Sequence, residues 1–170
     1  MLNDLLLPTA LETRTGPHTL RRADVADLDA LMALLSDDPI SSARGDVAED
    51  GDRDAYRAAL DEIIADPANE LLVVADAAGS VVATMQLTRI PGMARRGSTR
   101  LLVEAVRVGS ALRSAGIGGA MMRWVTDDAA PALGSSLVQL TSDEARVDAH
   151  RFYERLGFVG SHRGFKYQVG

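Results

Sequence analysis

Cysteine is absent from the 170-residue chain. Disulfide staples and thiolate metal sites are therefore excluded, together with cysteine-thiolate chemistry. Positive charge is in short supply: 18 Lys and Arg against 24 Asp and Glu leave a net charge of −6. A general nucleic-acid binder, which needs a basic surface, is disfavoured, whereas the acidic balance suits a cationic ligand. Long apolar runs are missing too, since nothing approaches the ~20 residues that a membrane span needs. The opening Met1–Pro8 has no basic start and carries Asp4, so it does not read as a secretory leader, and the expected location is the cytoplasm. The three histidines, His18, His150 and His162, are scattered without metal-ligand spacing, and no metal is expected. No G-x-S-x-G elbow occurs, which leaves an esterase triad without its nucleophile.

What remains has the balance of an ordinary globular protein, with 46% hydrophobic and 25% charged residues, enough to bury a core in one domain without staples. Residues 1–18 read as an N-terminal arm or extra strand ahead of a single domain over 19–170. A strand is expected at His18–Arg22. Asp24 then caps a helix burying Val25, Leu28, Leu31, Met32 and Leu35, and a second helix from Asp52 buries Tyr56, Leu60, Ile63 and Ile64 and stops before Pro67. Alternation and turn residues predict strands at Leu71–Ala75, Val81–Thr88, Leu101–Val108 and Ser136–Ser142. Helices are expected at Gly116–Ala130 and Val147–Leu156, and one or two closing strands within 158–169. This order indicates an α/β fold with a mostly antiparallel first half.

The most informative stretch runs from Val106-Arg107-Val108 through Arg113-Ser114-Ala115-Gly116-Ile117-Gly118-Gly119. A strand ends, and a glycine-rich turn opens an amphipathic helix. Glycines there let backbone N–H groups approach an anion, the helix dipole favours phosphate, and Arg113 adds a fixed charge. The dinucleotide fingerprint is incomplete because Met121 stands where its third glycine belongs, and the Gly-Lys-Ser/Thr of a P-loop is absent. A glycine-rich connection without a ligand is the plain alternative.

Arg113-Ser114-Ala115-Gly116-Ile117-Gly118 resembles the R/Q-x-x-G-x-G/A signature of the GNAT N-acetyltransferases. Asp148-Ala149-His150-Arg151-Phe152-Tyr153-Glu154-Arg155-Leu156-Gly157-Phe158 is similar to that family's A-x-x-F/L-Y-E-K/R-x-G-F segment. The resemblance covers roughly residues 19–169. It implies a GNAT fold, with a mixed, mostly antiparallel sheet of six to seven strands, about four flanking helices and splayed central strands. It also implies that acetyl-CoA lies in the splay, with its pyrophosphate on Arg113–Gly119 and its pantetheine arm along Val106–Val108. The expected activity is acetyl transfer to a primary amine by direct attack, since no cysteine can carry the acetyl group. A coenzyme A-binding module without turnover is the alternative.

The resemblance places the phenol of Tyr153 at the thioester sulfur. A thiol has a pKa of about 8.5 and a phenol about 10, so Tyr153 can stay neutral and then protonate the thiolate. Glu104 is the candidate base, acting directly or through water. Burial would raise its pKa towards neutrality, and a solvated Glu, or one salt-bridged to Arg107 or Arg100, is the bland alternative. His150, three positions before Tyr153, is read as lining the site or as a surface residue. Many relatives carry Asn where this chain has Arg146, so no cofactor role carries over to that position. The loops Ser36–Gly51 and Arg89–Arg100 are expected to line the acceptor side. The acids Asp37, Asp38, Asp46, Glu49 and Asp50 would attract a small cationic amine, and Arg89, Arg95, Arg96 and Arg100 would repel a basic protein tail. The expected partner is a small-molecule amine, with a homodimer left open.

Overall fold

The computed structural model describes every residue except Arg44, Asp46, Ala48 and Gly170, and the side chains of Pro39, Ser41 and Asp50. Six strands form one sheet in chain order: β1 Thr9–Thr13, β2 Gly16–Arg22, β3 Asn69–Ala75, β4 Val81–Ile90, β5 Arg100–Val108 and β6 Leu137–Leu140. β1 to β5 pair antiparallel, and β6 joins β5 in parallel. Strand alternation divides the apolar residues between two faces. Val73 meets α1 (Leu28–Ser36) and α2 (Arg53–Ala65) through Leu28, Leu31, Met32 and Leu60. On the other face, Leu72, Met85, Leu87, Leu101 and Val103 pack on α3 (Ile117–Trp124), with Phe152, Tyr153 and Leu156 of α4 (Val147–Arg155) against the same cluster.

The N-terminal arm is part of the sheet. Thr9–Thr13 pairs with Gly16–Arg22 around the Arg14-Thr15 turn, and Leu11 and Leu20 enter the core. Gly16 (φ 103°) supplies the left-handed conformation that closes this turn. The expected face of α3 is also found, with Ile117, Ala120, Met121, Trp124 and Val125 all buried. The helix continues through a π turn at Val125–Ala129.

Three expectations need correction. Val25 is exposed because the helix start is a 3₁₀ turn, Val25–Asp27, whose three-residue period shifts the phase of the stripe; Leu34 rather than Leu35 is buried. Ile64 is half exposed at the end of α2. No closing strand is found among residues 158–169, where Val159, Phe165, Tyr167 and Val169 are all more than four-fifths exposed. Alternating aromatic residues suggest a strand, but a strand exists only where a ladder partner is supplied. Gly160 and Gly164 further weaken the extended state there.

Asp24 caps the first helical turn through the N–H of Ala26, and Asp27 returns a bond to the Asp24 N–H. The nearly buried Asp27 carboxylate also receives both Nη atoms of Arg21, at 2.7 and 2.8 Å. The Arg21 hydrogen bonds hold the Asp27 pKa below the ordinary carboxylate value. Asp27→Ala leaves Arg21 unpaired and is expected to cost about 3 kcal/mol in urea denaturation near neutral pH. Because the folded-state pKa is depressed, this stabilisation is present above the unfolded-state value and is lost as pH falls through the folded one. The wild-type advantage over the variant should therefore shrink only in acid.

Candidate active site

β5 carries one extra residue opposite β4. Thr84 pairs with Arg107 and Gln86 with Glu104, so Met85 alone faces Ala105 and Val106. Ala105 takes φ 50°, a left-handed conformation that costs an alanine roughly 1 kcal/mol or more. The pairing of β5 with β6 stops just before this bulge, at Val103–Leu140. The two central strands part there, as the splayed arrangement requires.

A cleft of about 700 Å³ borders the splay, within the range of small-molecule sites. Val106 and Val108 form one wall, and Phe152, Tyr153 and Leu156 of α4 another. The turn before α3 contributes Arg113, Ser114, Gly116, Ile117, Gly118 and Gly119. Gly116 ends this turn at φ 89°, and no side chain caps α3. The helix thus presents its first N–H groups and the positive end of its dipole to the cleft, a ready anion site. A β-carbon at Gly118 would touch Phe152 and Val108, each at 3.6 Å. That puts the glycine at the narrow point between the strand and helix walls.

Of the expected contact residues, Arg107 and Ala115 stand outside the lining. Alternation turns the Arg107 side chain to the other face of β5, where its Nη1 donates to the Val106 carbonyl at 2.9 Å. Ala115 is buried, and its carbonyl accepts the Arg14 N–H at 3.0 Å. Sequence reasoning missed the contribution of the first hairpin: Glu12 and Thr13 of β1 and Arg14 of its turn line the same cleft, with Arg123 and Arg155. The hairpin turn at Arg14-Thr15, closed by Gly16, was the available signal, since it brings the end of β1 against the turn before α3. Four arginines against one glutamate make this a basic cleft in a chain of net charge −6. Such a local reversal of sign is what a polyanionic ligand requires.

Tyr153 packs edge-on against Phe152 and Phe158, with ring centroids 5.0 and 5.8 Å away. Burial pushes its pKa above the usual tyrosine value, while the charges of Arg107 and Arg146 pull in the opposite direction. Gly157 (φ 88°) ends α4, and the Phe158 N–H returns to the Tyr153 carbonyl, so the helix end that holds Tyr153 is closed as expected. Glu104 is exposed, as in the solvated alternative and unlike a buried base. Val103 points into the core, so Glu104 points to the opposite face of β5, away from the lining of this cleft. His150 is half-buried and bonded through Nε2 to the Asp143 carbonyl at 2.8 Å, an anchor for the β6–α4 loop.

The acidic loop also differs from expectation. Asp38 is buried in a bidentate pair with Arg146, and the Asp37 carboxylate accepts the Ser110 N–H at 2.6 Å. Neither is a free attractor of cations. Asp46 and the side chain of Asp50 lie outside the described residues, and Glu49 is exposed. Across the molecule, Arg95, Arg96 and Arg100 are exposed as expected, the first two in left-handed conformations.

The family model for the acetyltransferase (GNAT) family matches residues 28–158. Among solved structures, a transcriptional regulator from Bacillus halodurans is 38% identical, with 89% of this chain and 99% of that one covered at a TM-score of 0.84. An acetyltransferase from Trypanosoma brucei is 23% identical (89% and 99% covered, TM-score 0.70). Glucosamine-6-phosphate N-acetyltransferase from Arabidopsis thaliana is 18% identical (90% and 99% covered, TM-score 0.71). These last two show likeness of fold alone. A search of curated proteins finds no match. Among the described residues, no helix is long and apolar enough to cross a membrane.

Proposed function

The chain belongs to the GNAT acetyltransferase family, and on that premise we propose that it transfers an acetyl group from acetyl-CoA to a primary amine of a small molecule, by direct attack in a ternary complex. The observation that carries this reading is the basic cleft, which runs from an uncapped helix N-terminus to the half-buried Tyr153. Coenzyme A is a polyanion, and the residues present suit it: Arg113, Arg14 and the N–H groups of Ile117–Gly119 would hold its phosphates. Val106 and Val108 would flank its arm. Bound acetyl-CoA would supply an activated thioester carbonyl.

Tyr153 holds its proton at neutral pH, as a phenol ordinarily does, and burial pushes its pKa further up. It can therefore deliver that proton to the departing sulfur. Glu104 lies beside the bulge, with its side chain exposed on the opposite face of β5. Being exposed, it would take the amine proton through water. Glu104→Gln is expected to lower kcat most near neutral pH and to recover in alkali, where the amine loses its proton unaided. A loss that is flat with pH would assign Glu104 to positioning.

A second reading is a coenzyme A-binding sensor without turnover. It is favoured by the relative at 38% identity, whose description is that of a transcriptional regulator. Calorimetric titration with acetyl-CoA, ATP and NAD tests what both readings share: saturable binding of acetyl-CoA and none of NAD. Equal binding of all three would reject both.

The acceptor is proposed to be a small cationic or zwitterionic amine, because the exposed Arg95, Arg96 and Arg100 disfavour an extended basic peptide. Specificity constants that favour lysine-rich peptides, increasingly as salt falls, would reject this choice.

A further inference from the structure

Arg146 stands at the start of α4 and is committed to a partner 108 residues away. Its Nη1 donates to Asp38 Oδ2 at 2.7 Å, and Nη2 donates to Oδ1. The two side chains are only 21% and 12% exposed. Arg146 and Tyr153 lie two helical turns apart. Positions 146, 149, 150, 153 and 156 are half-buried, whereas 147, 148, 151, 154 and 155 are exposed, so the guanidinium and the phenol belong to one face. The residue next to Asp38 ties the same point to the cofactor turn: the Asp37 carboxylate accepts the Ser110 N–H, and its carbonyl accepts Arg113 Nη2 at 3.2 Å. The end of α1 therefore fixes the helix of the proton donor and the turn of the anion site together. Burying such a pair is a poor route to stability, because desolvation offsets the Coulomb attraction.

We propose that Arg146, held by Asp38, is a positioning residue for the transfer step: it fixes a permanent positive charge on the Tyr153 face of α4 and acts on the reaction through Tyr153. The inference rests on Tyr153 being the proton donor. Burial alone makes the phenol a weaker acid, and a guanidinium on its face counters this by favouring the negative charge that appears on oxygen as the proton leaves. Arg107 of β5 acts in the same sense. The other charged groups around the cleft are Arg113 before α3, Arg123 on α3, Arg155 on α4, Glu12 on β1 and Arg14 in the turn after it. His150 is turned to the Asp143 carbonyl, and Phe152 and Phe158 are uncharged. Arginine suits the role because it stays charged when partly buried and is fixed by two parallel bonds, which lysine cannot make.

The test uses the full chain with Arg146→Gln, Arg146→Lys and the double variant Asp38→Asn/Arg146→Gln. The double variant removes both charges and leaves no buried carboxylate unpaired, so it guards against simple unfolding. Ultraviolet titration of tyrosinate, with Tyr153→Phe in each background to identify Tyr153 among the three tyrosines, needs no substrate and stands apart from the assigned activity. Loss of the guanidinium should move the Tyr153 titration to higher pH in Arg146→Gln and in the double variant, and less in Arg146→Lys. With an active acceptor, kcat should fall roughly tenfold in both, with little change in KM for acetyl-CoA, and the alkaline limb of the rate profile should move to higher pH. An unmoved Tyr153 titration in the folded double variant would overturn the proposal. So would a moved titration with wild-type kcat. If no amine is acetylated by the wild-type chain, the transfer reading itself fails, and the proposal for this step falls with it whatever the titration shows.

Discussion

Tyr153→Phe is expected to lower kcat by roughly 10–10³-fold while acetyl-CoA affinity stays nearly unchanged. The substitution keeps the ring, its edge-on contacts with Phe152 and Phe158, and the face it presents to the core. It removes only the hydroxyl. A thiolate leaving unprotonated is the poorer outcome at neutral pH, so the loss should appear in kcat. Stopped-flow thiol release alongside calorimetric binding separates the two effects. A wild-type rate in the variant would make Tyr153 a packing residue and assign protonation to water.

The second large effect concerns the cofactor. Gly118→Val should weaken acetyl-CoA binding by about 2 kcal/mol or more, a factor of ~30 in Kd. A β-carbon there reaches only ordinary contact with Phe152 and Val108, so the fold accepts it. The two methyl groups beyond it must enter the narrow point of the cleft. Gly116 is a less useful probe: its φ of 89° and a β-carbon contact of 3.3 Å to Arg14 would strain the fold itself. Unchanged affinity in a folded Gly118→Val variant would move the cofactor away from this turn.

What could be read from the sequence is what depends on neighbours in the chain. The Arg113–Gly119 turn, the buried face of α3, the closure of α4 at Gly157 and the hairpin after Ala75 follow from local spacing and backbone freedom. What could not be read depends on distant partners. Asp37 and Asp38 look like solvated loop acids until Ser110 and Arg146, 73 and 108 residues away, are found against them. Arg14 looks like part of a loose arm until its N–H meets the Ala115 carbonyl. Glu104 sits in an apolar-looking strand, yet alternation turns it away from the core cluster and leaves its side chain exposed. The Phe165-Tyr167-Val169 alternation promised a strand, but alternation names only a face, and a ladder needs a neighbouring edge as well.

The central claim is that this cleft loads acetyl-CoA and gives up its acetyl group to an amine. Amine-dependent thiol release, followed with mass detection of the acetylated product across amino-acid-like amines, polyamines and lysine-rich peptides, tests it most directly. The account predicts one thiol released per acetylated amine, no release without an amine, and a small cationic or zwitterionic acceptor as the best substrate. Saturable acetyl-CoA binding with no release for any amine class would contradict it and leave a coenzyme A-binding module in its place.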